Sequence, residues 1–181
     1  MDTIIKTFVD NGIEWLKQKD ILRRPDPNMP ADMLDENGTH SNDWKPWKAI
    51  PSTVTDSDLE EIETRIGLKL PNSYKQFLKY KHFYDIHTVA DYEPYNHLSS
   101  NWKEELYERY FNTDLNPFML ENGFIWFGNF QDWGFLCFDA NKKVGEDNEY
   151  PVVLIDHETI DQQELMYKDF KDCLVKNTVT L

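Results

Sequence analysis

The sequence predicts an α+β fold: a single domain with a central, mostly antiparallel β-sheet flanked by helices. Three observations carry that expectation. Apolar residues recur at helical spacing through the first half of the chain and again near its end. Between residues 124 and 155 they gather instead into short runs separated by turn residues, the pattern of adjacent strands. The 181 residues suit one domain with a modest extension, and 14% aromatic content supplies core surface despite a mean hydropathy of −0.69.

Residues 2–22 place Ile5, Phe8, Val9, Gly12 and Leu16 on one helical face, with Ile4 and Trp15 beside it. Asp2 or Thr3 is available as N-cap, and Asn11-Gly12 marks the place for an interruption. From Arg24 to Ser52, five prolines and the Asn37-Gly38 turn signal predict a connector in which Trp44 and Trp47 clamp onto the main body. Ser57-Asp58-Leu59-Glu60 reads as a capping box ahead of a helix that buries Leu59, Ile62 and Ile66 and ends at Gly67. Pro71 then opens a further helix with Tyr74, Phe77 and Leu78 on one side.

Residues 80–120 interleave aromatic residues with acids, and within them Leu98, Trp102, Leu106 and Tyr110 suggest one helix. Phe124 to Phe127, Phe135 to Phe138 and Pro151 to Ile155 read as strands of an antiparallel meander. Leu165, Phe170, Leu174 and Val175 are expected on one closing amphipathic helix. No internal repeat and no low-complexity tract occurs.

Charge narrows the function classes. Thirty-three acidic and 19 basic residues give a formal net charge of −14, with 12 acids against 5 bases in residues 121–181. Affinity for phosphate backbones comes from Lys and Arg, so nucleic acid is excluded as a first expectation. The aromatic–acidic interleaving also reverses the aromatic–basic pattern that single strands require. A field of this sign attracts a basic partner. The N-terminus carries an acid where a signal peptide needs positive charge, no apolar run approaches the roughly 18 residues of a membrane span, and Cys137 and Cys173 form no CxxC. A cytoplasmic protein with reduced thiols and no membrane partner is the expectation.

Catalytic and metal signatures are nearly empty. His40, His82, His87, His97 and His157 form no HxxxH, HExxH or Cys/His cluster, so no metal and no cofactor is expected. GxGxxG, GxxxxGK[ST] and GxSxG are absent. Asp132, Asp139, Asp156 and His157 are the residues an enzyme would have to use. Turn chemistry accounts for the aspartates and a strand-end backbone contact for the histidine, so no enzymatic activity is expected.

Several segments, taken in order, resemble one family. Trp44-Lys45-Pro46, Ile50-Pro51-Ser52, Leu59 to Glu63 and the run Gly67-Leu68-Lys69-Leu70-Pro71-Asn72-Ser73-Tyr74-Lys75-Gln76-Phe77-Leu78 are similar to the N-terminal signature of the SUKH superfamily, the Smi/Knr-like proteins. Ile125 to Gly128, Asp132 to Asp139, Val152 to Glu158 and Tyr167 to Leu174 resemble its later elements. The chain departs from that pattern where Lys81-His82-Phe83 follows the Leu-Pro helix and where Asp132-Trp133-Gly134 occupies a turn that usually holds Gly-Asp.

The resemblance implies an α+β domain over residues 44–176, preceded by an N-terminal helix and Pro-rich connector at 1–43 and followed by a tail at 177–181. It also implies a protein-binding role. Many bacterial members look like immunity proteins that neutralise a cognate toxin of polymorphic toxin or contact-dependent inhibition systems. Fungal relatives are cell-wall assembly regulators that bind endogenous proteins, which is the alternative. Residues 1–43 and 82–118 lack a clear counterpart and are where a partner-specific surface is expected. Tyr84, Tyr92, Tyr95 and Trp102 as aromatic anchors, with Asp91, Glu93, Glu104 and Glu105 around them, are the interface candidates. The charge suits a basic nuclease toxin as partner.

Overall fold

The computed structural model describes residues 2–38, 43–90, 92–112, 116–145 and 148–181; His40 and Asp91 lie outside them. In chain order the elements are α1 (Thr3–Gln18), β1 (Arg23–Arg24), β2 (Lys45–Pro46), β3 (Ile50–Pro51), α2 (Asp56–Ile66), α3 (Asn72–Leu78), β4 (Lys81–His82) and β5 (Tyr92–Pro94). There follow α4 (Trp102–Phe111), α5 (Asn116–Glu121), β6 (Phe124–Phe130), β7 (Gly134–Asp139), β8 (Val152–Asp156), β9 (Gln163–Tyr167) and α6 (Phe170–Asn177). The fold is α+β, and its principal sheet is a five-stranded antiparallel meander in the order β5-β6-β7-β8-β9.

α1 starts where the Asp2 carboxylate accepts from the Ile4 N–H, and its apolar face of Ile5, Phe8, Val9, Gly12 and Leu16 is buried. The helix runs through Asn11-Gly12 without the expected interruption. Gly12 is there because Ile86 and the His87 carbonyl pack against its backbone, leaving no room for a Cβ. α2 is capped two residues earlier than expected: Thr55 accepts from Asp58 N, and the Asp58 carboxylate accepts from Thr55 N. It ends at Gly67, whose φ of 72° is the left-handed conformation a helix stop uses.

One face of the sheet builds the main core. Phe127 and Phe138 stack with centroids 4.2 Å apart, and Phe170 of α6 meets Tyr74 of α3 edge-on at 5.4 Å and Phe138 at 5.6 Å. Edge-to-face pairs of this kind add roughly 0.5–1.5 kcal/mol each beyond the area they bury. α1 packs against α6 and α3 over this layer. α5 covers the opposite face, where Cys137 Sγ lies 3.8 Å from Met119 Sδ.

The connector contains more order than its prolines suggest. β1 pairs with β2, and Leu34 bridges Trp47. Trp47 is 1% exposed and serves as the clamp; Trp44, at 48%, does not. The last expected helix is corrected too. Leu165 belongs to β9, α6 begins only at Phe170 behind its Asp169 cap, and Val175 faces outward.

Candidate protein-binding surface

The chain from Phe83 to Leu98 forms a strap across the edge of the sheet. Its base is pinned by the paired backbone bonds of Phe83 and His97, and its middle by β5 against β6. Tyr92 anchors it inward, stacked on Phe8 at 6.1 Å and edge-on to Phe127 at 5.5 Å. α4 is fixed beside the strap by a polar clamp to α2. The Lys103 ammonium lies 2.7 Å from Asp58 and 2.8 Å from Glu61, and Tyr107 donates to Glu61. The ammonium and the Thr55 bonds hold the Asp58 carboxyl down at about 2, while the two carboxylates raise the lysine.

Three adjoining recesses, of about 180, 370 and 660 Å³, meet at the exposed Asn96 between the strap, α4 and the connector. Glu93 is exposed between the first two, and Glu105 stands between the first and third, accepting from Asn101 Nδ2 at 3.1 Å. Asp26 and Asp85 add two more carboxylates. Tyr84 donates to Asp26 at 2.6 Å, and Arg24 reaches Asp85 at 2.6 Å. Arg109 lies over the Trp126 ring at the floor of the smallest recess.

The expected interface residues therefore separate by type. Tyr84, Tyr92, Tyr95 and Trp102 are 4, 1, 8 and 7% exposed, so the aromatic anchors expected on the surface are core residues that hold the groove's walls. Burial pushes the Tyr84, Tyr92 and Tyr95 hydroxyls well above the ordinary tyrosine range. Glu93 and Glu105 come together at the groove; Glu104 is exposed but lines none of the three recesses. Asp91 falls outside the described residues. Sequence reasoning singled out none of Asn96, Asp26 and Asp85 as a contact, although all three fall in the stretches, 1–43 and 82–118, where a partner surface is expected. Only Asp26, between Pro25 and Pro27, sits where a loop signal pointed.

Beneath the strap His82 and His97 face each other with ring centroids 4.6 Å apart. His82 Nε2 meets the backbone and hydroxyl of Thr53, and His97 Nδ1 meets the Lys81 carbonyl. Burial, with His82 as a second cause, pushes His97 down to about 3.

The residues an enzyme would use are dispersed. Asp139 is buried against Lys142 and Asn141, Asp156 accepts from Glu158 N, and His157 contacts the Trp133 carbonyl. None of these, nor Asp132, lines the three recesses or the cleft of about 590 Å³ between α1 and the connector. Among the described residues, no cluster of His, Cys, Asp or Glu has the makings of a metal site, and no helix is long and apolar enough to cross a membrane.

An antiparallel meander backed by helices on both faces, with an acid-lined groove at one edge, defines a small α+β domain. The family model of the SMI1 / KNR4 family (SUKH-1) matches residues 53–176, and the chain belongs to that family. SUKH domains are in general protein-interacting domains. The match includes the aromatic stretch and starts within the segment that joins β3 to α2. No curated protein matches the chain.

Proposed function

We propose that this chain is a non-catalytic binding domain, an immunity protein that neutralises a cognate toxin domain by occupying its basic surface. The acid-lined groove around Asn96 carries the reading. Four carboxylates, from Asp26, Asp85, Glu93 and Glu105, border recesses that also hold the cations Arg24 and Arg109. Complementary fields speed encounter and select the partner, and a chain of net charge −14 brings a long-range field of the matching sign. A basic nuclease domain fits that chemistry. The cytoplasm of the producing cell is where such a protein would act.

A pull-down of the tagged chain from its native cells, at low and high salt, tests the proposal. The expected result is a basic toxin-like domain that is retained at low salt, weakened by added salt, and lost by the double variant Glu93→Lys/Glu105→Lys. Recovery of endogenous complexes alone would point to a regulatory protein of the cell-wall assembly type. A toxin captured equally well by the double variant would remove the groove from the mechanism.

A further inference from the structure

The far edge of the sheet, opposite the strap, carries an unfinished row. Trp126, Cys137, Val153 and Leu165 are successive cross-strand partners in β6, β7, β8 and β9. The first three are 2, 0 and 3% exposed, whereas Leu165 is 67% exposed. An apolar side chain thus continues a core row at a position where nothing covers it. β9 pairs only with β8, and among the described residues no backbone hydrogen bond reaches the outer side of Gln163–Tyr167.

Sheets protect such edges with Lys, Pro or bulges. β9 has neither Lys nor Pro, and its irregularity falls at Met166, which leaves Gln163, Glu164 and Leu165 in regular register with β8. Charge marks this edge as well. Residues 144–167 contain no Lys or Arg. The turn between β8 and β9 presents Glu158 and Asp161, with Asp156 at the end of β8. Asp132 joins them from the neighbouring turn, which is held there by the bond from His157 N to the Trp133 carbonyl. Among the described residues, no ion pair reaches Asp132, Asp156, Glu158, Asp161 or Glu164.

A second copy of this chain is a poor occupant, because it would bring another net charge of −14 against this one. A strand of opposite charge relieves the repulsion. We propose that the outer edge of β9 receives an extended segment of a partner protein in which apolar and basic side chains alternate. Backbone bonds extend the sheet, an apolar side chain covers Leu165, and the alternation turns Lys or Arg toward Glu164 on the other face. The surface lies on the opposite sheet edge from the Asn96 groove and does not depend on what that groove binds.

The probe is the N-acetylated peptide Thr-Lys-Val-Lys-Val-Lys-Thr, titrated to millimolar concentration into the full chain at low salt. Its control is the same peptide with Glu in place of Lys, and the readout is amide exchange and NMR shifts of residues 163–167. Binding of the basic peptide alone is expected, with protection confined to β9. Glu164→Lys is expected to weaken it about tenfold. Leu165→Lys, at a site exposed enough to leave folding intact, should weaken it further, and Glu93→Lys should leave it unchanged. Absence of protection in β9, equal binding of the acidic peptide, or a dimer of the chain that Leu165→Lys dissolves would each overturn the proposal.

Discussion

Lowering the pH from 7 to 5 is expected to destabilise this protein through His97. In the unfolded chain the imidazole takes up a proton as the pH falls below 6.5; in the folded protein burial resists that uptake until about 3. The unfolded state therefore binds more protons throughout that window, and stability, complete above 6.5, drains as the pH falls toward 3. Linkage between those two values gives a loss of about 2 kcal/mol on going from pH 7 to pH 5. The surroundings offer no relief. Tyr95, Trp102, Phe83 and His82 pack around the ring, Nδ1 is engaged with the Lys81 carbonyl, and Nε2 has no hydrogen-bond partner among the described residues. His82, itself lowered by burial, acts in the same direction. The depressed carboxylates, Asp58 at about 2 against an ordinary 3.8 and Glu63 below its ordinary 4.5, give up most of their contribution below pH 5, beneath this window. Urea unfolding followed by Trp fluorescence at both pH values, on the wild type and on His97→Gln, provides the measurement. The reasoning is refuted if the wild type keeps its stability at pH 5, or if the variant loses as much as the wild type does.

Three other substitutions probe the packing. Trp102→Ala, at a side chain 7% exposed against His97, is expected to cost about 3–5 kcal/mol in urea unfolding; a cost below 1 kcal/mol would return Trp102 to the list of surface anchors. Tyr74→Phe deletes a fully buried hydroxyl with no hydrogen-bond partner among the described residues, so thermal unfolding should show unchanged or higher stability, and a loss of more than about 1 kcal/mol would reveal a bond to that hydroxyl. Gly12→Ala gains helix propensity but drives a methyl into Ile86 and to 2.7 Å from the His87 carbonyl, so a net loss of about 1–3 kcal/mol is expected, and a more stable variant would show that the strap yields easily.

The sequence was readable wherever one periodicity met one environment. α1 buries every residue assigned to its inner face, α2 and α3 do likewise, and β6, β7 and β8 fall on the apolar runs that announced them, although β6 continues through Gly128 and Asn129 to Phe130. Errors arose where two signals competed. Thr55 and Ser57 both stand three residues ahead of an acid, and only the backbone geometry decided for Thr55. Leu165 stands five residues before Phe170, a spacing that puts the two on different faces of a helix, and it lies in an edge strand of mixed, largely exposed side chains that carries no clear alternation. The aromatic stretch is hardest because density alone does not separate core from interface. Tyr92 and Tyr95 are buried by α1 and the sheet, contacts distant in sequence, while Glu93 between them turns outward by strand alternation. Asn96, where the three recesses meet, carries no local signal at all.

The packing of α1 on α6 orders events during synthesis. Ile5, Phe8, Val9 and Leu16 leave the ribosome more than 150 residues ahead of Phe170 and Leu174, which belong to the same core. The meander in between pairs neighbours with neighbours and closes its ladders as it leaves the tunnel. The part of α1 that faces α6 must therefore wait uncovered until α6 has been made. That interval, rather than any property of the finished fold, is when this acidic chain is most exposed to chaperones and to misassociation.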